Sequence, residues 1–427
     1  MSGISFKIKI AFLILTTYSL PVAKAQEHII PLDQVKIPDT TSRKYHIPIF
    51  DNGEVDLIDI GNGVLNKFPD RSKDTVHIDA GKLHSSLLPG IGYSIETNFE
   101  IELSYLGGFY TSNENNANQS SILATIIFTR LHQLLIPVVS SIWTKNNQYN
   151  LQTDWRYLVY PQETYGLGGY SSLNKGYILS YTKIRLYSSI YKVIKTDMYV
   201  GVGYDFDDLL DGHEIDPPPG ITDFEKYNIE YNQKGTNEIA SGATLHFLYD
   251  TRRNSINPSA GNFINISYRA NLNMLGSSEN WQSLIIDLRK YIPLSTHSKQ
   301  VIAFWTYEWL TINGNPPYDL LPSIGEDPYS NTGRGFAQGR FRGKNMLYVE
   351  SEYRFGILRN GLLGGVVFAN SESFSEQTNN QFARIYAGYG AGIRIKFNKF
   401  SKTNVAFDYA FGTDGSKGIF LNLGEVF

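Results

Sequence analysis

The chain has 427 residues, no Cys, and 38 Lys and Arg against 41 Asp and Glu, which gives a net charge of -3. The near balance of charge gives no basic surface for nucleic acid, and the absence of Cys excludes a thiol nucleophile, a disulfide framework and a Cys metal site. No run of 18 or more apolar residues is present, so the sequence encodes no membrane-spanning helix.

The N-terminus has the parts of a secretory signal peptide. Lys7 and Lys9 form a basic start, a short apolar stretch follows, and residues 23–25 read Ala-Lys-Ala, a small-residue cleavage site. The sequence therefore predicts that residues 1–25 are removed during export. A buried N-terminal helix is the alternative interpretation.

Residues 26–84 are rich in charges and are interrupted by four Pro. One amphipathic stretch, residues 55–68, contains Gly61 and Gly63, which weaken a helix. We expect a short periplasmic extension or linker without a sizeable core.

From about residue 85 to 427 the chain alternates between apolar and polar residues. In residues 404–411 the odd positions are Val, Phe, Tyr and Phe, and the even positions are Asn, Ala, Asp and Ala. Residues 347–355 follow the same rule, with Glu350 and Glu352 on the polar side. Successive side chains of a strand point to opposite faces, so these segments are predicted to be two-faced β-strands.

The length and spacing of these strands favour a membrane barrel over a soluble sandwich. The segments are near ten residues long, aromatic residues gather at segment ends, and short connections alternate with long ones such as 207–237 and 313–344. We predict an all-β protein: a transmembrane up-and-down antiparallel β-barrel of about 16 strands over residues 85–427. An even number of strands closes such a barrel without an edge in lipid.

No catalytic constellation is found in the sequence. His213-Glu214 lacks the second His of a zinc helix. The acidic run from Asp205 to Asp216 has Leu209 and Leu210 where a calcium loop needs oxygen ligands, so a solvated acidic loop is predicted, with divalent-cation binding as the alternative. The chain is not expected to be an enzyme, to bind a metal or to need a cofactor.

Four segments resemble the BamA/TamA family of outer-membrane assembly barrels, also called the bacterial surface antigen family. The resemblance covers roughly residues 85–427. A central turn motif, a loop motif, the strand Tyr348 to Phe355 that follows the loop, and a C-terminal β-signal carry it. The central turn motif comprises Asp250, Arg252, Arg253, Pro258 and Gly261; the loop motif comprises Arg334, Gly335 and Phe336; the β-signal comprises Ser416, Gly418, Leu421, Leu423 and Phe427.

The resemblance implies a role for the loop motif. In the family this loop folds into the barrel, where its Arg pairs with inward carboxylates. Here Arg334 is the candidate, with Glu350 and Glu352 as lumen partners, since a guanidinium bonds a carboxylate through two parallel contacts. Where the family usually has an inward Asp on the next strand, this chain has Asn370, which is able to accept a hydrogen bond from Arg334 but offers no charge. A solvated surface Arg is the alternative.

The two ends of the barrel chain are predicted to meet at a weak seam. The first strand contains Pro89, Gly90 and Gly92, and Gly424 is placed in the last strand, 417–427. Pro cannot donate a ladder hydrogen bond and Gly weakens a strand interior. The last strand is expected to present Leu421, Leu423 and Phe427 to lipid. In the family the seam opens laterally; an ordinary strand start is the alternative.

The resemblance implies an outer-membrane protein of a Gram-negative-type bacterium that acts in protein assembly, insertion or translocation. Its expected partners are outer-membrane lipid and lipopolysaccharide, the barrel-assembly machinery that inserts it, and client polypeptides or a separate periplasmic partner. Residues 26–84 are too few and too often interrupted by Pro for a recognisable copy of the family's periplasmic POTRA domains, which places the chain in a short, barrel-only form. A passive pore or transport barrel and a surface-exposed binding barrel are the alternative functions.

Overall fold

The computed structural model describes residues 54–64, 80–94, 98–114, 117–295, 299–328, 330–377, 379–399 and 401–427. Within these ranges, seventeen strands form one antiparallel sheet. The strands are β1 His84–Ser94, β2 Asn98–Tyr110, β3 Gln119–Thr129, β4 Leu134–Trp143, β5 Tyr149–Val159, β6 Gln162–Thr164, β7 Tyr177–Lys195, β8 Met198–Ile215, β9 Glu238–Asp250, β10 Gly261–Asn271, β11 Trp281–Pro293, β12 Val301–Gly314, β13 Asn345–Gly356, β14 Leu363–Phe374, β15 Tyr386–Asn398, β16 Thr403–Gly412 and β17 Lys417–Leu423.

Apart from β5 and β6, consecutive strands pair with each other, which is the up-and-down topology predicted from the sequence. β5 and β6 both pair with β7, so they form one wall strand interrupted at Tyr160 and Pro161. Pro161 has no N–H to donate to the ladder, which explains the break. Counted in this way the wall has sixteen strands, and the predicted all-β barrel of about that number is confirmed.

The two ends of the barrel differ in the length of their connections. At one end, here called the turn end, the connections between strands run from two residues (196–197) to ten residues (251–260). At the opposite end, here called the loop end, they reach 22 residues in 216–237 and 30 residues in 315–344.

Burial in the wall is inverted relative to a soluble protein. On β16, Phe407, Tyr409 and Phe411 point outward and are 40–43% exposed, whereas Asp408 between them points inward and is 2% exposed. Exposed apolar area costs roughly 25 cal/mol per Å² in water. A wall with apolar residues outside and charged residues inside suits hydrocarbon around the barrel.

The described residues include two α-helices, which lie outside the strands of the wall. The helix α1, Leu57–Val64, lies within the predicted amphipathic stretch. The helix α2, Asp223–Glu230, begins at a capping box in which Thr222 and Glu225 satisfy each other's backbone N–H groups. Within the described ranges, no helix is long and apolar enough to span a membrane. The predicted signal peptide, residues 1–25, lies outside the described residues.

One prediction about a loop is wrong. The acidic run was expected to be a solvated loop within 207–237, but β8 continues to Ile215 and only 216–237 connects it to β9. Asp207 is fully buried inside the barrel, where it accepts hydrogen bonds from Arg185 and Arg269. Acidic residues that neutralise buried Arg residues look like a surface loop in the sequence alone, because their partners lie on distant strands.

Candidate functional site in the barrel interior

The connection between β12 and β13, residues 315–344, folds back into the barrel and is here called the plug loop. Its apolar side chains are buried, among them Leu321, Ile324 and Phe341 at 0–1% exposure. Gly335 adopts φ +111°, and a Cβ there would lie 2.8 Å from the main-chain oxygen of Phe411. Only Gly tolerates this conformation at such a close approach to the wall.

Arg334 is fixed inside the lumen by three carboxylates. Its guanidinium donates to Glu350 and Glu352 of β13 and, over 2.6 Å, to Asp408 of β16. It also stacks on the ring of Phe368, 3.6 Å from the centroid. A buried cation is stable only when such groups replace its hydration, so these contacts hold the plug loop at the position predicted for Arg334.

Asn370 contacts Arg334 in a way that differs from the expectation. Its side-chain amide donates a 2.8 Å hydrogen bond to the main-chain oxygen of Arg334, and it does not accept from the guanidinium. The third carboxylate is Asp408, which sequence reasoning did not assign to the site. The alternation of residues 404–411 had already placed Asp408 on the polar face, but only the barrel brings β16 opposite Arg334.

Phe336, the third residue of the loop motif, is 3% exposed and packs inside the barrel. Its ring lies 5.5 Å from that of Phe341, edge to face, and Phe341 stacks on Tyr386 of β15 at 4.3 Å. Edge-to-face and offset-stacked pairs are favoured by the ring quadrupoles. The motif therefore contributes a cation and an apolar anchor to the same contact with the wall.

A chain of alternating charges extends from Arg334 toward the turn end. Arg354 donates to Glu352 over 2.6 Å, and Arg394 donates to Glu425 over 2.7 Å and also pairs with Asp408. These side chains are all 9% exposed or less. Because each cation contacts at least one carboxylate, the charges are compensated although they are removed from water.

The last residues of the chain turn into the lumen, which corrects two predictions. β17 ends at Leu423, Gly424 follows it at φ +99°, and residues 424–427, here called the inward tail, leave the wall. Gly424 is therefore not in the last strand, and Phe427 does not face lipid. Phe427 is 2% exposed, and its ring lies 5.2 Å from that of Trp305 and 6.2 Å from that of Tyr291.

The other β-signal residues lie in or beside β17. Ser416 precedes the strand, Gly418 pairs with Ala410, and Leu421 is half-buried. Leu423 is 9% exposed, so the outward apolar face is shorter than expected. The positive φ at Gly424 changes the direction of the chain. The Gly itself is the one sign of this change in the sequence.

The central turn motif connects β9 to β10 at the turn end. Arg252 forms a two-pronged ion pair with Asp250, with both N···O distances 2.9 Å, and its guanidinium lies 4.2 Å from the centroid of Phe263. Gly261 adopts φ +110°, and a Cβ there would lie 2.8 Å from the main-chain oxygen of Thr251. This pair rigidifies the start of the turn.

The rest of the central turn motif reaches the charge chain. The main-chain oxygen of Pro258 accepts from Arg354 over 3.3 Å, whereas Arg253 is exposed. The same turn contacts the turn between β15 and β16 and the inward tail, because Asn254 donates to Ser401 and Ile256 accepts from the Glu425 N–H over 2.9 Å.

The plug loop is also braced internally by Arg342. Arg342 is fully buried, pairs with Glu326 and donates over 3.2 Å to the main-chain oxygen of Tyr318. Burial raises the pKa of the neighbouring Asp319 carboxyl to about 6, while Arg342 acts in the opposite direction. Because Asp319 is 4% exposed, its carboxylate form is the costly one.

The predicted seam lies between β1 and β17. β1 pairs with β2 along all of its length, with Pro89 opposite Leu103 and Gly90 opposite Glu102. β17 pairs with β16 over seven residues. Among the described residues, no ladder of backbone hydrogen bonds joins β1 to β17.

The part of the chain that the structure describes contains no cluster of potential metal ligands. No group of three or more His, Asp or Glu side chains there is arranged to hold a metal ion. The interior is instead organised by Arg–carboxylate pairs.

These features define a class of protein: an antiparallel barrel with a lipid-type outer face, whose longest surface loop is held inside its own lumen by buried ion pairs. A family model for the Omp85 superfamily domain matches residues 109–427. The chain belongs to the Omp85 superfamily. A search of curated proteins found no match.

Solved structures share this fold. BamA from Haemophilus ducreyi lacking POTRA domains 1–3 is similar with a TM-score of 0.57 and 15% identity, over 80% of this chain and 70% of that one. CdiB from Acinetobacter baumannii gives 0.50 and 14%, over 80% and 60%. CdiB from Escherichia coli gives 0.52 and 7%, over 81% and 68%. The chain thus spans well short of the full length of these proteins, and at these identities the likeness establishes the fold.

Proposed function

We propose that this chain is an outer-membrane barrel that acts in the assembly, insertion or translocation of other polypeptides. Membership of the Omp85 superfamily supports this proposal. So does the outer belt of apolar side chains, which needs a lipid environment. The mechanism is non-covalent and needs no nucleotide or metal.

The observation that carries the proposal is the seam. β1 has eleven residues and β17 has seven, and the described residues form no ladder between them. An edge strand presents unpaired N–H and C=O groups, which template pairing with another strand. An edge that faces lipid therefore offers a client strand its first backbone partners.

Inside the wall, the plug loop keeps the lumen closed while the seam binds a client strand. Arg334 and the aromatic contacts of Phe341 hold it against β13 to β16, and the Arg342–Glu326 pair braces it internally. A client that enters through the seam does not require the plug loop to leave. The lateral wall, and not the central lumen, is therefore the surface on which a client would bind.

The first test is depletion of the protein followed by quantitative mass spectrometry of the outer-membrane fraction. Selective loss of other barrels or of surface lipoproteins would support the proposal and would identify the clients. An outer membrane unchanged apart from this chain would contradict it.

A second test locks the seam. The chain has no Cys, so an introduced Cys pair is the only source of a disulfide. Pairs are placed along β1 and β17, and a matched control pair replaces Tyr409 and Ile419, which are register partners on β16 and β17. We expect oxidised seam pairs to stop client assembly and the control pair to leave it intact. Full activity with the seam locked would contradict the lateral mechanism.

The two alternative functions make different predictions. A passive pore requires a large, stable single-channel current, which a lumen filled by residues 315–344 opposes. A surface-exposed binding barrel would lose its partner, without a growth defect, when the loop 216–237 is shortened.

A further inference from the structure

A cavity of about 380 Å³ opens at the turn end of the lumen. It lies among the turns that follow β11, β13 and β15, and residues of the central turn also line it. Five of its lining residues are cationic and two are anionic: Lys299, Lys396, Lys402, Arg354 and Arg394 against Glu54 and Glu425. We call this space the mouth cavity.

The deep side of the mouth cavity is electrically compensated. Arg394 contacts Asp408 and Glu425, and Arg354 donates to Glu352 and, over 2.7 Å, to the main-chain oxygen of Phe427. These two guanidinium groups already have close partners. They form the floor of the cavity and do not supply its surplus charge.

The surplus positive charge lies on the outer side of the cavity. Lys396 follows Arg394 on the inward face of β15, and Lys402 lies in the turn after it at φ +62°. Within the described structure, neither ammonium forms an ion pair, while Lys299 pairs with Glu54 over 2.5 Å. A concave surface lined by one sign of charge concentrates ions of the opposite sign.

We propose that the mouth cavity binds a phosphate-bearing anion, either free phosphate or the phosphate of a lipid headgroup. Lys ammonium groups bind phosphate as point charges, and the Arg forks, which would match a phosphate or a carboxylate, are already occupied here. Ser259, Gln300 and Asn404 line the same cavity and provide hydrogen-bonding groups. This inference does not depend on the proposed assembly function.

Glu54 acts as an internal competitor for this site. Its segment is docked on the turns, since Val55 donates to Asn360 over 3.0 Å and the Lys399 N–H donates to Asp56 over 2.9 Å. The Glu54 carboxylate therefore lies over Lys299 at the rim of the cavity. An incoming phosphate competes with it for that ammonium, and removing the carboxylate strengthens binding.

The test uses the full chain in neutral detergent and titrates inorganic phosphate by ³¹P NMR. The variant Lys396→Gln/Lys402→Gln should weaken binding about tenfold, because two charge-assisted contacts are lost. The charge-matched control Lys192→Gln/Lys195→Gln removes two exposed ammonium groups from β7, outside the cavity, and should change binding less than about twofold. The variant Glu54→Gln should bind phosphate more tightly.

A parallel arm separates the two sources of phosphate. Native mass spectrometry of the protein from nanodiscs of phosphatidylglycerol or phosphatidylcholine tests for a retained lipid that the Lys396→Gln/Lys402→Gln variant loses. Retention there assigns a lipid headgroup, and binding of inorganic phosphate alone assigns a free anion. Equal binding by both double variants, no binding in either arm, or acetate binding as tightly as phosphate would overturn the proposal. Heat-modifiable gel migration verifies that each variant is folded.

Discussion

The side-chain amide of Asn331 donates a 2.5 Å hydrogen bond to the main-chain oxygen of Val426. Asn331 is itself positioned by Asp327, which accepts from its backbone N–H over 3.0 Å. On the wall side, Arg354 donates to the main-chain oxygen of Phe427. The inward tail is therefore held between the plug loop and β13, and the position of each depends on the other two.

Replacing Phe427 by Ala should destabilise the barrel by about 3–5 kcal/mol, the usual cost of emptying an aromatic site in a core. The ring packs against Trp305 and Tyr291 inside the lumen. The temperature at which the folded band is lost in semi-native gels measures the effect. The control is Ile419→Ala, which truncates a 54% exposed side chain on the outer face. Equal losses for the two variants would mean that Phe427 is not a core residue.

Replacing Arg334 by Ala should unseat the plug loop. The variant leaves Glu350, Glu352 and Asp408 buried together, and breaking a buried ion pair in this way costs about 3–5 kcal/mol. We expect a larger single-channel current in planar bilayers and faster proteolysis within 315–344. The exposed Arg253→Ala serves as the control.

A second replacement should partly repair the first. Adding Glu350→Gln to the Arg334→Ala variant removes one of the uncompensated charges, so part of the lost stability should return. No change in current for the single variant, or no recovery in the double variant, would show that the ion pairs do not hold the plug loop.

Replacing Asn370 by Asp should weaken the site, although it restores the residue that the family usually has there. The Asn370 amide donates to the main-chain oxygen of Arg334, and a carboxylate would face that oxygen without a hydrogen to share. A loss of about 1–3 kcal/mol is expected. A rise in the gel transition temperature would instead mean that the Arg334 guanidinium reorients and pairs with the new carboxylate.

Replacing Asp319 by Asn should change the pH dependence of stability. The folded-state pKa of Asp319 is raised from 3.8 to about 6, so folding favours its protonated form. Its contribution to stability is fully present below pH 3.8 and is lost as pH rises through about 6. Relative to the parent, the Asn variant should gain on the order of 1–3 kcal/mol at pH 8.

Urea midpoints at pH 4 and pH 8 measure this difference. Asp211→Asn is the control, since that side chain is 88% exposed and should give the same shift at both values. A gain that does not depend on pH would show that the Asp319 carboxyl is not the titrating group.

The strands were predictable because lipid and lumen impose opposite chemistry on alternate residues. Residues 404–411 show this well: Phe407 and Tyr409 faced outward as expected, and Asp408 faced inward. The missing N–H of Pro161 predicts a break in the strand. It does not predict that β5 and β6 pair with the same strand, β7. The period-two pattern therefore predicted nearly all of the strands of the wall.

The contacts inside the lumen were less predictable. The partners of Arg334 lie 16, 18 and 74 residues away in the chain, and only the first two are on the next strand. The inward tail was missed for a different reason. Its last aromatic residue suits a lipid-facing strand equally well, and the conformation of Gly424 decides between the two faces.

The plug-loop residues Arg334 and Asn331 have their wall and tail partners on parts of the chain that come after the loop. Glu350, Asn370, Asp408 and Val426 all follow Arg334 in sequence. During synthesis and export these residues emerge later than the loop that they bind. The contacts of Arg334 and Asn331 are therefore completed only after β13, β14, β16 and the inward tail have emerged, whereas the plug-loop contacts to Gln162 and Thr164 of β6 have partners that emerge before the loop.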